Sequence, residues 1–262
     1  MSKKQKSFEE FFYTKDNSIC NVGVVSDYAD KHDGDYSPYK GNMLCPECQM
    51  AELTFVHKSS NRRAHLKKIP SANHLENCSY NYEYATKKIV KTFVDNLSYN
   101  QIQDRLNAIM NIFFNNNQRH NVDNNNTNNQ RAEANPILVP DRNKEQIEFK
   151  ALRRKRLAGW IDKSDGTDLY LFYGKAKLSV EQKVKTDKDG KEYSYHFLKL
   201  KLKNKKGEWK DRTSIYRGGI NDKVDEQAVY QIALIGNLKF NDKWWNIELI
   251  NKDAIRLRII NE

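Results

Sequence analysis

From Leu169 onward apolar and polar residues alternate, most strictly in YSYHFLKLKLK, residues 193–203. Period two is the repeat of a β-strand, whose successive side chains leave on opposite faces. Ser194, His196, Leu198, Leu200 and Leu202 therefore share one face, and the leucines make it the core side. Tyr193, Tyr195, Phe197, Lys199, Lys201 and Lys203 share the other. Similar alternation runs through residues 169–185, 208–217, 230–240, 243–250 and 254–260, with turn signals at Asp187–Gly190, Asn204–Gly207 and Phe240–Asp242. The stretch NDKVDEQAVY, residues 221–230, breaks the pattern and reads as a short helix before the fourth strand. Five or six strands in this order outline a small β-barrel. The preceding EQIEFKALRRKRLAGWI reads as a brief helix or as a strand entry.

Upstream, the run NNNQRHNVDNNNTNNQ, Asn115 to Gln130, has no apolar face to offset its chain entropy and reads as a disordered linker. It divides the chain into a domain over residues 1–114 and the barrel domain over residues 131–262. In the first, Ile89, Phe93, Leu97, Ile102, Leu106, Ile109 and Phe113 recur at helical spacing and predict one or two amphipathic helices. Lys87, Lys88 and Lys91 occupy their solvated side. The expected class is α+β.

Three of the four cysteines fall between Cys45 and Cys78. Cys45 and Cys48 form a CxxC knuckle, in which two thiolates meet one ion. His74 and Cys78 supply a second pair, spaced to converge from one helical turn. Four soft or borderline ligands suit tetrahedral zinc, and four protein ligands leave no open position for water, so the ion is expected to be structural. Pro46 shapes the knuckle, AELTFVHK follows as a strand and RRAHLKKI returns. His57 and His65 are spare histidines, and His65 is the alternative to His74. Cys20 stands apart and reads as a small apolar filler.

The net charge of +11 points to a polyanionic partner, most often nucleic acid, although lysine-rich surfaces also serve solubility. A side bearing three rings and then three lysines suits a single strand: rings stack on bases and cations follow phosphates. Tyr173, Lys175 and Lys177 share one parity and extend that face on the preceding strand; Trp209, Lys210, Arg212, Tyr216 and Arg217 extend it on the following one. Arg153, Arg154 and Arg156 of the RRKR run add phosphate contacts. The competing reading packs Tyr193, Tyr195 and Phe197 against the helices or a partner protein. Trp244 and Trp245 are adjacent, so one is expected in the core and one outside. His196 is expected to be a packing residue. No stretch approaches the roughly 18 apolar residues of a membrane span. The N-terminal MSKKQKSFEEFF lacks an apolar signal core, so a cytoplasmic location is expected.

Two resemblances add to this. CPEC…RRAHLKKIPSANHLENC is similar to the zinc-ribbon region that opens the competence CoiA-like family, over about 40 residues. In that family the ribbon precedes a restriction-type nuclease, which implies testing for an aspartate and a Glu-x-Lys on neighbouring strands; Asp162, Glu181 and Lys183 are the candidates. The order YGKAK, HFLKLKL and ALIGNLKFNDKWWNIEL resembles OB-fold barrels of the exonuclease VII large-subunit and anticodon-binding type, over about 90 residues. The leading expectation is a non-enzymatic binder of single strands, DNA above all, with a structural zinc and a place in prokaryotic or phage replication, recombination or defence. A protein-interaction adaptor and a metal-dependent nuclease are the alternatives.

Overall fold

A computed structural model describes residues 6–114, 134–142, 146–159, 161, 165–166, 168–204, 206–241 and 244–260. The Asn-rich run, Asp162 and Trp160 lie outside them. The described residues fall into two compact units. One is drawn from Met1–Glu83, Asn111–Leu138 and Phe149–Ala151, the other from Tyr84–Met110, Val139–Glu148 and Leu152–Glu262. A division at residue 114 thus places residues 84–110 with the ribbon, whereas their contacts group them with the barrel.

The first unit begins with β1 (Ser7–Phe8), β2 (Glu10–Tyr13), β3 (Ser18–Asn21) and α1 (Val22–Lys31). Helix α1 buries Val22, Val25 and Ala29, which recur at helical spacing. It starts because the Asn21 side chain accepts a hydrogen bond from the Gly23 amide at 2.8 Å, an N-cap. Then come β4 (Met43–Leu44), β5 (Leu53–Val56) and β6 (His65–Lys68). Strands β5 and β6 pair antiparallel, with β1 on the far side of β6, which is the strand-and-return expected after the knuckle. Phe8, Phe11, Val25, Met43, Leu53 and Leu66 are fully buried and pack around Cys45, Cys48 and Cys78.

Two helices follow, α2 (Lys87–Asp95) and α3 (Tyr99–Phe114), where the spacing predicted them. Thr86 caps α2, and Ser98 and Gln101 exchange reciprocal hydrogen bonds of 3.3 and 2.8 Å at the start of α3, a capping box. Val90, Val94, Ile102, Leu106 and Ile109 are buried. After the short strands β7 (Leu138–Asp141) and β8 (Glu148–Ala151) comes β9 (Arg153–Arg156). The segment left open between helix and strand is therefore strand.

The second unit is built on β10 (Leu169–Thr186), β11 (Glu192–Lys203), β12 (Trp209–Gly218), β13 (Val229–Asn241), β14 (Trp244–Leu249) and β15 (Ile255–Ile260). Five of them close a barrel in the ring order β10-β11-β12-β14-β13-β10. Every pairing in the ring is antiparallel except β12 with β14, which run parallel through Ser214↔Asn246 and Ile215↔Ile247. Leu198, Leu200, Leu202, Ile215, Ile232, Leu234 and Ile247 fill the interior. Strand β13 exchanges β15 for β14 as its neighbour at Gly236; a Cβ there would lie 2.5 Å from the Glu248 carbonyl oxygen, so only glycine fits. Within this unit α3 is tied to β15: Gln103 donates to the carbonyls of Asp253 and Ile255, and Arg258 reaches Asn107.

The helix expected at residues 221–230 is absent; residues 219–228 are irregular. Asp225 explains this. Its carboxylate accepts from the Gln227 amide at 2.9 Å, and its own amide donates to the Tyr230 hydroxyl at 2.7 Å. These bonds offer the backbone an alternative to helical pairing.

Candidate metal centre and candidate nucleic-acid interface

The knuckle is a tight turn. The Cys45 amide donates to the Ala51 carbonyl and the Gln49 amide to the Cys45 carbonyl, while Gln49 takes a left-handed φ of 52° to close it. The second pair comes from the loop after β6, where the Cys78 amide donates to the Leu75 carbonyl at 2.9 Å. His74 and Cys78 thus converge from a turn, not from the helical turn that their spacing suggested. Phe8, Tyr80 and His74 pack as a triangle of rings, with centroids 4.1 Å apart for Phe8–Tyr80, 5.6 Å for Tyr80–His74 and 6.0 Å for Phe8–His74.

These elements bring Cys45, Cys48, His74 and Cys78 together, with all four ligand atoms within 4.8 Å of one another. The Cys45 and Cys78 sulfurs are 3.8 Å apart, and His74 Nδ1 lies 3.4 Å from the sulfurs of Cys48 and Cys78. A tetrahedral ion with metal–sulfur bonds of about 2.3 Å gives a sulfur–sulfur edge of about 3.8 Å, so the donor set fits a metal ion. Burial pushes the Cys45 and Cys78 thiols well above the ordinary thiol range, while hydrogen bonds from Cys45 and Cys78 hold Cys48 well below it. A second thiolate in so buried a space needs a cation beside it. His65 lies on β6 with Nδ1 at 3.0 Å from the Arg63 carbonyl, and His57 packs on Phe55; neither joins the cluster. Cys20 is half-buried against the first unit's core.

Glu47, between the two knuckle cysteines, is buried. Its carboxylate accepts from the Ser79 amide at 2.7 Å, the Ser79 hydroxyl at 2.6 Å and the Asn135 amide group at 2.8 Å. It joins the loop of one ligand pair to the residue next to Cys78. The sequence offers no signal for this beyond a charged residue inside a CxxC.

On β11, His196, Leu198, Leu200 and Leu202 are buried, whereas Ser194, expected on the same core side, is exposed near the strand's start. Tyr193, Tyr195 and Phe197 share the other side of the strand, Tyr193 exposed and Tyr195 and Phe197 half-buried. Tyr195 is 6.3 Å from Tyr193 and 5.7 Å from Phe197; Tyr216 on β12 stands 6.0 Å from Tyr195 and 5.6 Å from Phe197. Tyr193 is 45% exposed and Tyr216 50%. Lysines border the rings: Lys183 lies 5.3 Å over Phe197, and Lys177 and Lys203 lie 6.0 and 5.1 Å over Trp209. Lys175, Lys201, Lys210 and Arg212 are exposed, and Lys199 is half-exposed.

Five expected members, Tyr173, Arg217, Arg153, Arg154 and Arg156, stand elsewhere or are already engaged. Tyr173 is buried, because β10 is covered on both faces from Leu169 to Gly174. The Arg217 guanidinium is held by Asp222 at 2.6 Å and by the Lys252 carbonyl at 2.8 Å. The RRKR run is strand β9 beside β10, and its charges are engaged. Arg153 lies over Tyr84 and 3.3 Å from Asp168, Lys155 is buried 2.6 Å from Asp165, and Arg154 and Arg156 are half-buried with partners of their own. His196 is buried with Nδ1 unpaired. Trp245 packs on the core while Trp244 is 63% exposed.

Glu181 sits on β10 with Lys199 at 3.0 Å and Lys183 at 3.6 Å, and hydrogen bonding to Lys199 lowers its carboxyl below the usual range. Among the described residues the only ligand-rich cluster is the Cys/His one; Asp162 lies outside them. No helix among the described residues is long and apolar enough to cross a membrane.

Next to Phe197 and Tyr216 a groove of about 480 Å³ opens, lined also by Lys239, Phe240, Asn246 and Glu248. The β13–β14 hairpin brings these four together, and the non-local parallel β12–β14 pairing, which no sequence signal marks, sets them beside Tyr216. Comparison with protein-family models, with curated proteins and with solved structures finds no match to this chain.

Proposed function

We propose that the protein is a non-enzymatic binder of single-stranded nucleic acid, gripping the strand on the outer surface of β11 and β12, with a structural zinc in the first unit. The observation that carries this reading is the run of Tyr193, Tyr195, Phe197 and Tyr216, ring beside ring on one surface and bordered by lysines. Flat exposed rings accept bases of any sequence, and ammonium groups around them neutralise phosphates. The ring order of the barrel supports an OB-type assignment. OB barrels bind oligonucleotides along their second and third strands, which here are β11 and β12. The net charge of +11 agrees with a polyanionic ligand.

Zinc is the metal of choice for three thiolates and an imidazole in a closed tetrahedron. It would hold the knuckle to the His74–Cys78 loop and supply folding energy; no water position remains for chemistry. The ribbon is read here as scaffolding for the first unit.

Titration of fluorescent oligo-dT at several salt concentrations tests the binding reading. Affinity falls steeply with salt, and replacing Tyr195 and Phe197 with alanine weakens binding by about 1–3 kcal/mol per ring. Binding that ignores both salt and the two substitutions rejects the face. Capture of a protein with little salt response favours the adaptor reading instead.

A further inference from the structure

The geometry points to a slot for one unstacked guanine base in the groove formed by Phe197, Tyr216, Phe240, Lys239, Asn246 and Glu248, an inference that rests on the strand-binding reading and narrows it. Alternation on β13 and β14 sets out the polar row of this groove, and Phe240, packed on Trp245, lines it too. Ile247 points into the core, so its neighbours Asn246 and Glu248 are on the outer surface; Leu238 is buried on β13, so Lys239 faces outward too. The parallel Ser214↔Asn246 register then places this polar row beside Tyr216, which pairs with Phe197 across β11 and β12. A volume of about 480 Å³ is within the roughly 300–1,000 Å³ of small-ligand clefts.

The polar groups have fixed roles. The Glu248 carboxylate is held by Lys239 at 2.7 Å and lies 3.5 Å from the Asn237 amide group. Hydrogen bonding to Lys239 keeps its carboxyl below the usual range, so at neutral pH it only accepts. Asn246 Oδ1 accepts the Ser214 hydroxyl at 2.6 Å, which leaves the amide NH2 group as what Asn246 offers a ligand. The slot therefore presents an acceptor pair beside two donors, Asn246 and Lys239, in a groove that Phe197, Tyr216 and Phe240 also line.

Among the four bases, guanine alone shows two adjacent donors, N1–H and the 2-amino group, next to an acceptor, O6. The carboxylate accepts both donors at once and an ammonium or amide donor meets O6. Adenine and cytosine each offer one donor group on that edge, and thymine places its one donor between two acceptors. The Lys239–Glu248 pair does not block this: the side chains are 61% and 45% exposed, and a carboxylate has about four acceptor positions.

The test compares dT oligomers carrying one central guanine, adenine or inosine with plain oligo-dT, using the full chain. Guanine is expected to bind on the order of tenfold more tightly than adenine. Inosine, lacking the 2-amino group, is expected to lose most of that gain. Glu248→Gln replaces an acceptor by a donor; it is expected to bring guanine and adenine oligomers to equal affinity. Equal affinity for guanine and adenine oligomers, with oligo-dT still bound, overturns the slot and leaves the strand-binding reading standing. A guanine preference that survives Glu248→Gln in a folded variant also overturns it. Failure of every oligomer to bind overturns the strand-binding reading and the slot with it.

Discussion

The carboxylate of Glu47 spans the backbone amide and the hydroxyl of Ser79, at 2.7 and 2.6 Å, so the CxxC turn and the residue after Cys78 are locked by one buried side chain. Groups of this kind orient metal ligands, and their loss commonly costs 10–100-fold in metal affinity. Glu47→Ala is expected to release zinc to a chromophoric chelator at concentrations on the order of tenfold lower than the parent chain requires. An unchanged competition curve would remove Glu47 from the metal centre.

Chelation itself is expected to act on one unit only. The first unit's core gathers around three cysteines, whereas the barrel has an apolar core of its own. Hydrogen exchange after metal removal should show fast amides at Leu53–Val56 and His65–Lys68 and retained protection in β11 and β13. Loss of protection in both sets would contradict this.

Gly236 marks where β13 changes partners, and an added methyl there meets the Glu248 carbonyl oxygen at 2.5 Å. Gly236→Ala is expected to destabilise the barrel by about 1–3 kcal/mol, as overpacking does. Urea denaturation followed by tryptophan fluorescence reads the change directly. A midpoint equal to the parent's would mean the strand junction shifts without cost.

Hydrogen bonding to Lys239 lowers the Glu248 carboxyl, with desolvation acting the other way. A depressed folded-state pKa stabilises the protein above the carboxylate's unfolded pKa, and this stabilisation is lost as pH falls through the folded value. The pair is largely exposed, so it contributes at most about 1 kcal/mol. In a carbon-detected NMR titration, Lys239→Met should move the Glu248 midpoint upward; a midpoint that stays in place would show the lysine has no hold on it.

The residues themselves determined the two sides of β11, the α2 and α3 helices and the Cys45–Cys48 knuckle. Each of these follows from local spacing: period two fixes which face a side chain takes, helical spacing fixes a stripe, and CxxC fixes a knuckle. Tertiary structure alone decided which strands adjoin. Closing the ring sets β12 parallel to β14 and so brings Tyr216 beside Asn246 and Glu248, residues about 30 apart with no shared pattern. It also withdrew Tyr173 and Arg217 from the face where they were expected, by burying β10 at one end and pairing Arg217 with Asp222. Alternation is a property of one strand's backbone. The neighbours that cover or open a face come from contacts far along the chain, whose order is set by how the whole barrel buries its core.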